Sequence, residues 1–223
     1  MRRMLLMAAV LALVATQSLA GIKNTKHDLS NSGGGSIKDS TYSEICVFCH
    51  TPHRADTTNI NAPLWNRSGL STIYNSITQI YNSATLSDES KDSETLAAIK
   101  VSDAPLCLSC HVQSYLVKNL RNPSNINGVD KQPTTTSWDL TDNAEIGFDL
   151  HDDHPIGMDY SEVQGDDSEF RPENSLTISS LKLYTSEGRM WCSSCHDVHS
   201  NDNAPFLATN NQGSGLCLTC HIK

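Results

Sequence analysis

The sequence predicts a mostly irregular fold with short α-helices and minimal β structure, organised around points of covalent attachment instead of a conventional apolar core. Hydrophobic residues make up 38% of the 223 residues, whereas globular domains usually contain about 45–50% apolar residues with glycine counted. The eight cysteines all fall in one short motif that occurs four times. Much of the remainder is Ser, Thr, Asn, Asp and Pro, the composition of loops.

Residues 1–20 predict a signal peptide for export. Arg2 and Arg3 precede an apolar stretch over residues 4–15, and Ser18-Leu19-Ala20 has the small-x-small pattern of a cleavage site. The stretch is too short for a membrane span, and no later run of about 18 apolar residues follows. We therefore expect residues 21–223 to form one exported domain, extracellular or at the cell surface and otherwise periplasmic, that does not span a membrane.

The charge balance is acidic, with 25 acidic against 16 basic side chains and a formal charge of −9. An acidic exported chain is a poor candidate for nucleic-acid binding. Its surface would instead favour basic partners or metal cations.

The cysteine motif is C-x-x-C-H, the attachment signature of c-type haem. Cysteines at positions i and i+3 and a histidine at i+4 lie on one face of a helical turn. Two sulfurs can then bond the vinyl groups of one porphyrin while the histidine binds its iron from the same side. The sequence thus predicts four covalent haems at these motifs: Cys46-Val-Phe-Cys49-His50, Cys107-Leu-Ser-Cys110-His111, Cys192-Ser-Ser-Cys195-His196 and Cys217-Leu-Thr-Cys220-His221.

Two other uses of eight cysteines are possible in an exported chain. Four disulfides are one, and two structural zinc ions held by four C-x-x-C pairs are the other. Neither explains why a histidine follows the second cysteine in all four motifs. Four large apolar cofactors also account for the low apolar content of the chain, because protein can wrap them instead of building its own core.

Five histidines remain beyond the four proximal ones, so each iron can receive a second histidine. We expect the distal ligands to be His27, His53, His154 and His199. His151 lies in an acidic run and is the spare or alternative ligand. Two histidine ligands leave no open iron position and, without an axial methionine, favour low potentials. This inventory predicts electron transfer and no enzymatic activity.

An internal repeat indicates two two-haem halves, roughly residues 21–125 and 145–223. His53 and His199 each follow a proximal histidine by three residues, giving C-x-x-C-H-x-x-H, and Asn-Ala-Pro follows both. Neither histidine can reach the far face of its own haem, so each is expected to serve the second haem of its half. The expected pairings are His53 with the haem at Cys107/Cys110, His199 with Cys217/Cys220, His27 with Cys46/Cys49 and His154 with Cys192/Cys195.

Secondary structure is only weakly signalled elsewhere. Residues 87–101 predict a helix capped by Ser87 or Asp88. Residues 112–120 predict a helical turn that continues beyond His111, and residues 176–184 predict a short strand.

The chain resembles the tetrahaem doubled-CXXCH c-type cytochromes, and is similar to the exported OmcE type, whose subunits assemble into extracellular filaments. The resemblance rests on residues 45–53, on Asp152-Asp153-His154-Pro155-Ile156-Gly157, on residues 192–199 and on residues 217–221. It implies a haem wire of bis-histidine haems, head-to-tail contacts between copies of the chain, and redox partner cytochromes or extracellular acceptors. It also implies one distal histidine from a neighbouring subunit. His27 is our hypothesis for that ligand, because the Gly/Ser-rich residues 30–36 would give it a flexible tether.

Three rival functions remain open at this stage. A soluble periplasmic tetrahaem shuttle would carry the same haems and differ only in assembly. A multihaem reductase would need one five-coordinate haem, which the number of histidines disfavours. An interaction protein stabilised by zinc would contain no haem.

Overall fold

The computed structural model describes residues 21–58, 62–84, 86, 93–112, 119–134, 144–175, 181–183 and 188–222. Five helices occur in this part: α1 (Leu70–Ser76), α2 (Ser93–Val101), α3 (Ala104–His111), α4 (Tyr160–Asp166) and α5 (Cys192–Cys195). Three 3-10 turns span Cys46–Phe48, Gln212–Ser214 and Cys217–Thr219. The antiparallel hairpin of β1 (Asn125–Ile126) and β2 (Val129–Asp130) is its only sheet. Short helices, little sheet and much irregular chain confirm that part of the predicted fold class.

The largest apolar cluster joins helices α1, α2 and α3. Ile73 of α1, and Ile77 directly after it, pack with Ile99 of α2 and Leu108 of α3, all with almost no exposed surface. Trp191, directly before α5, is buried in the same cluster. The cluster therefore brings the second and third cysteine motifs to one place, because α3 carries the second and α5 the third.

Three smaller clusters lie at the cysteine motifs. Phe48, inside the first motif, packs with Tyr42 and Leu120. Leu106, directly before Cys107, packs with Trp65 and Leu70. Cys220 of the fourth motif packs with Tyr160 and Leu181. Apolar packing in this chain is thus distributed around the motifs.

Helix α3 ends at His111, so the predicted helical turn beyond that residue is wrong at its first position. Val112 is extended (φ −121°, ψ 97°). The His111 carbonyl instead accepts backbone hydrogen bonds from Ile146 (2.8 Å) and Gly147 (3.2 Å), which take the place of a continued helix. Helix α2 occupies the second part of the helix predicted over residues 87–101, whose proposed cap lies outside the described residues.

The predicted signal peptide and most of the predicted strand over residues 176–184 also lie outside the described residues. Within the described ranges, no helix combines the length and apolarity needed to cross a membrane.

Gly157 fixes the close approach of the His154-Pro155-Ile156 segment to helix α2. Its φ is +83°, and a Cβ at this position would lie 2.4 Å from Cγ1 of Ile99. Its N–H donates to the Met190 carbonyl (2.7 Å), and its own carbonyl accepts from the Arg189 guanidinium (2.7 Å). A side chain here would both strain the backbone and overpack the cluster.

Substitution Gly157→Ala is expected to lower the free energy of unfolding by about 2 kcal/mol, through the positive φ and the clash with Ile99. Guanidinium unfolding of the purified protein measures this. The matched control is Gly165→Ala in α4, where a Cβ meets no atom within 4 Å and alanine favours the helix. Equal effects of the two substitutions would contradict this account of Gly157.

Candidate functional site: four cysteine motifs and their histidines

Each C-x-x-C-H motif forms a single helical turn, as the spacing predicts. The second motif is the last part of α3 and the third begins with α5, while the first and fourth are 3-10 turns. In three motifs the histidine N–H donates to the carbonyl of the first cysteine: His50 to Cys46 (2.8 Å), His196 to Cys192 (3.1 Å) and His221 to Cys217 (2.9 Å). The two sulfurs and the imidazole of a motif are therefore presented from one turn.

All eight cysteines are free thiols in the structure. The alternative of four disulfides is therefore not the arrangement that this fold adopts. The thiols remain available for bonding to a cofactor.

The segments that follow the first and third motifs fold back onto them with matching contacts. His50 forms an antiparallel bridge with Trp65, and His196 forms one with Leu207. The second-cysteine carbonyl accepts a 2.8 Å hydrogen bond in both motifs, at Cys49 from Asn66 and at Cys195 from Ala208. Leu64 and Phe206 occupy corresponding positions and both have positive φ, 54° and 57°. Residues 64–66 and 206–208 thus return to their motifs through the same hydrogen bonds.

Three histidine rings are held through Nδ1 by backbone carbonyls. His50 contacts the Pro63 oxygen at 2.6 Å, His111 the Ala144 oxygen at 2.6 Å, and His154 the Pro155 oxygen at 2.9 Å. Because a carbonyl only accepts, Nδ1 carries the proton and Nε2 keeps its lone pair. Metal-binding histidines are typically oriented by this kind of hydrogen bond.

Three pairs of histidine rings lie opposite one another at nearly equal centroid separations, and we call them the facing pairs. A metal–imidazole bond of about 2 Å on each side puts the two ring centres roughly 6 Å apart. Each pair joins a motif histidine to one of the histidines expected as distal ligands. The centroid distances are 6.1 Å for His50–His199, 6.2 Å for His27–His111 and 6.4 Å for His154–His221. The free thiols, the Nδ1 hydrogen bonds and these separations together fit c-type haem.

The pairings differ from those expected from the sequence. The segment around His27 packs on the second half of the chain, where its ring lies 4.3 Å from that of Phe206 and Gly21 approaches the backbone of His199 and Ser200. Reach along the chain therefore does not decide the partners. His27 faces His111 and not His50, His199 faces His50 and not His221, and His154 faces His221 and not His196.

His27 is largely buried within its own chain. Burial, followed by the nearby rings of His111, His196 and His199, lowers its pKa to about 4. The ring is therefore neutral at pH 7, the form that binds metals. Its buried Nδ1 has no hydrogen-bond partner within the described ranges. His27 thus lies beside His111 in the same chain, and its exchange to a neighbouring subunit stays a prediction.

The three histidines outside the facing pairs lie at the surface. His151 is fully exposed, and its hydrogen bond to Asp149 (2.9 Å), together with the acidic charges around it, raises its pKa. That environment favours a protonated ring and suits the spare role predicted for it. His53 and His196 are also exposed, and neither belongs to one of the three facing pairs.

The motifs adjoin one another in a series. Burial, with a further contribution from Cys110, raises the pKa of the Cys49 thiol to about 11. Burial, with a contribution from Cys220, raises that of the Cys195 thiol to about 11. A hydrogen bond with Cys192, followed by burial, raises the pKa of Cys107. The first motif therefore neighbours the second, the second the third, and the third the fourth.

Two features of the site were not predicted from sequence. The carbonyls that orient the proximal rings include Pro63, and the repeated Asn-Ala-Pro was the available signal for it. Asp103 was not singled out, yet one of its carboxylate oxygens lies within 4.8 Å of the sulfurs of Cys107 and Cys192. Its sequence context gives no signal, because Cys192 is distant along the chain.

Residues 185–223 match the family model of the doubled CXXCH motif. The match covers the third and fourth motifs, from Cys192 to His221. No curated protein matches the chain. The doubled motif indicates covalent binding of c-type haem and haem-based electron transfer, and it supports a multihaem c-type cytochrome.

Substitution His199→Ala is expected to convert one haem of the loaded protein from low spin to high spin, because it removes the ring that faces His50. The haem content should not change, since every cysteine remains. Absorption and electron paramagnetic resonance spectra measure the spin state, and mass spectrometry measures the haem content. His151→Ala is the control and should leave both unchanged; a fully low-spin His199→Ala protein would refute the pairing.

Proposed function

We propose that this protein transfers electrons through four covalently bound c-type haems, each with two histidine ligands, and performs no chemistry on a substrate. The observation that carries the proposal is the set of three imidazole pairs at 6.1–6.4 Å, each joining a motif histidine to a second histidine. Such a pair would supply two ligands to one iron and leave it no position for a substrate. A multihaem reductase would need an open position.

The eight motif cysteines would hold the cofactors, and His50, His111, His196 and His221 would be the proximal ligands. When bound, haem supplies an iron that accepts and returns one electron. The protein orients the imidazoles through the carbonyls of Pro63, Ala144 and Pro155. Met158 and Met190 are buried in a separate cluster with Val163, which agrees with ligation by histidine alone and with low potentials.

The adjacency of the motifs supports a continuous path for electrons within one chain. Electrostatic interactions between cysteines relate the first motif to the second and the third to the fourth, and a hydrogen bond between Cys107 and Cys192 joins the second to the third. The His50–His199 pair adds a link between the first motif and the segment that follows the third.

We further assign His53 to the iron held by His196. In both halves, the histidine that precedes the half faces the histidine of its closing motif, as His27–His111 and His154–His221 show. The histidine three residues after the third motif crosses to His50 of the first. Since the segments after the first and third motifs fold back with matching contacts, the same exchange in the opposite direction would bring His53 to His196.

Substitution His53→Ala is therefore expected to give one more high-spin haem than the parent protein has. The double variant His53→Ala/His199→Ala should have two more high-spin haems than the parent. Spectra of the monomeric parent protein, isolated by gel filtration, identify the copy that supplies His53. Four low-spin haems in the monomer mean that the same chain supplies it. One high-spin haem that disappears on assembly means that a second copy supplies it. An unchanged spectrum of the His53→Ala protein would refute the assignment.

The proposal extends to an exported subunit of an extracellular filament, with copies of the chain in head-to-tail contact. The resemblance of residues 45–53, 152–157, 192–199 and 217–221 to filament-forming cytochromes supports it. A head-to-tail contact that does not close gives a helical polymer. The alternative is a soluble periplasmic shuttle, which is favoured by the presence of three histidine pairs at 6.1–6.4 Å within one chain.

Purified native protein is expected to carry four haems by mass spectrometry and to form thin filaments in the extracellular fraction by negative-stain electron microscopy. Fewer than four haems in fully matured protein would contradict the tetrahaem proposal. Discrete particles restricted to the periplasm would contradict the filament and favour the shuttle. The colourless variant with Ser in place of all eight cysteines is the control for haem-dependent assembly.

A further inference from the structure

Asp103 lies at the junction of the second and third motifs. It precedes helix α3, and its backbone carbonyl accepts from the N–H groups of Leu106 (2.9 Å) and Cys107 (3.1 Å). Its side chain makes no capping hydrogen bond to its own helix. One carboxylate oxygen, Oδ2, instead accepts from the backbone N–H of Ser193 (2.8 Å). The residue therefore joins the start of α3 to α5.

The carboxylate is close to two sulfurs from different motifs. An oxygen of Asp103, Sγ of Cys107 and Sγ of Cys192 all lie within 4.8 Å of one another. The second oxygen, Oδ1, is buried and has no hydrogen-bond partner within the described part of the chain. Neither an ion pair nor a second donor thus neutralises this carboxylate among the described residues. Its negative charge therefore lies close to the sulfurs of Cys107 and Cys192, at a site that is partly shielded from water.

We propose that Asp103 sets the potentials of the haems at Cys107/Cys110 and Cys192/Cys195, lowering both. The inference rests on the proposed function, because it requires haem at these sulfurs. Reduction adds an electron to a haem, and a nearby negative charge opposes that addition. The opposition is stronger where little water screens it. Asp103 contributes a negative charge near these haems and is not a ligand, because the proposal assigns two histidines to each iron.

The first motif has different surroundings. Arg67, a fully buried cation, lies near Cys49 and lowers the pKa of its thiol, which burial raises. Asp103 raises the pKa of the Cys107 thiol, as burial does. The two haems that flank Asp103 are therefore expected to be harder to reduce than the haem at Cys46/Cys49.

The test is a spectroelectrochemical titration of the haem-loaded Asp103→Asn protein. Asparagine keeps the shape and can still accept from Ser193, but it removes the charge. Two of the four potentials are expected to rise, each by about a tenfold change in the reduction equilibrium, or about 59 mV for a one-electron couple. Asp103→Glu keeps the charge and should keep potentials near those of the parent. Asp130→Asn removes the same charge from the exposed β2 strand and should shift none.

Asp103→Ser is a second neutral variant for use if the asparagine protein matures poorly, because serine suits the start of a helix. Unchanged or lowered potentials in a neutral variant that retains its haems and low-spin spectrum would overturn this inference alone. Absence of haem from the parent protein, shown by mass spectrometry, would overturn the proposed function itself. Haem content and spin state thus distinguish the two failures.

Discussion

The rest of the structure depends on the helical turn that each C-x-x-C-H motif forms. The hydrogen bond from the histidine N–H to the first cysteine carbonyl closes this turn in three motifs and places both sulfurs and the imidazole on one side of the backbone. Four such turns are four points at which covalent haem would anchor a chain with few apolar residues. The apolar packing at the motifs consists of small clusters around Phe48, Leu106 and Cys220.

Facing histidines convert these local turns into tertiary links. The pair His27–His111 connects the N-terminal segment to helix α3, and His50–His199 connects the first half to the second. In each connection a backbone carbonyl fixes the orientation of one ring through its Nδ1: the Pro63 carbonyl holds His50, and the Ala144 carbonyl holds His111. Under the proposed function, loss of one of these rings would remove a link between distant segments as well as a ligand.

Charge is distributed unevenly around the motifs. The chain as a whole is acidic, yet a buried cation, Arg67, lies near the first motif, and the carboxylate of Asp103 lies between the second and third. Since buried charges are less screened than surface charges, the proposal gives these two residues more influence on the potentials than the acidic surface has. Under the proposed function, such charges would separate the potentials of haems with the same ligands.

The sequence by itself determined the four C-x-x-C-H turns and the small amount of regular structure, because these follow from spacing and composition within a few residues. It did not determine which histidines face each other. Reach along the chain paired His199 with the fourth motif, whereas the structure places it opposite His50. Only the tertiary structure decided this, because the packing of the His27 segment on Phe206, and the approach of Asp103 to Cys192, join residues whose separation in the sequence carries no local signal.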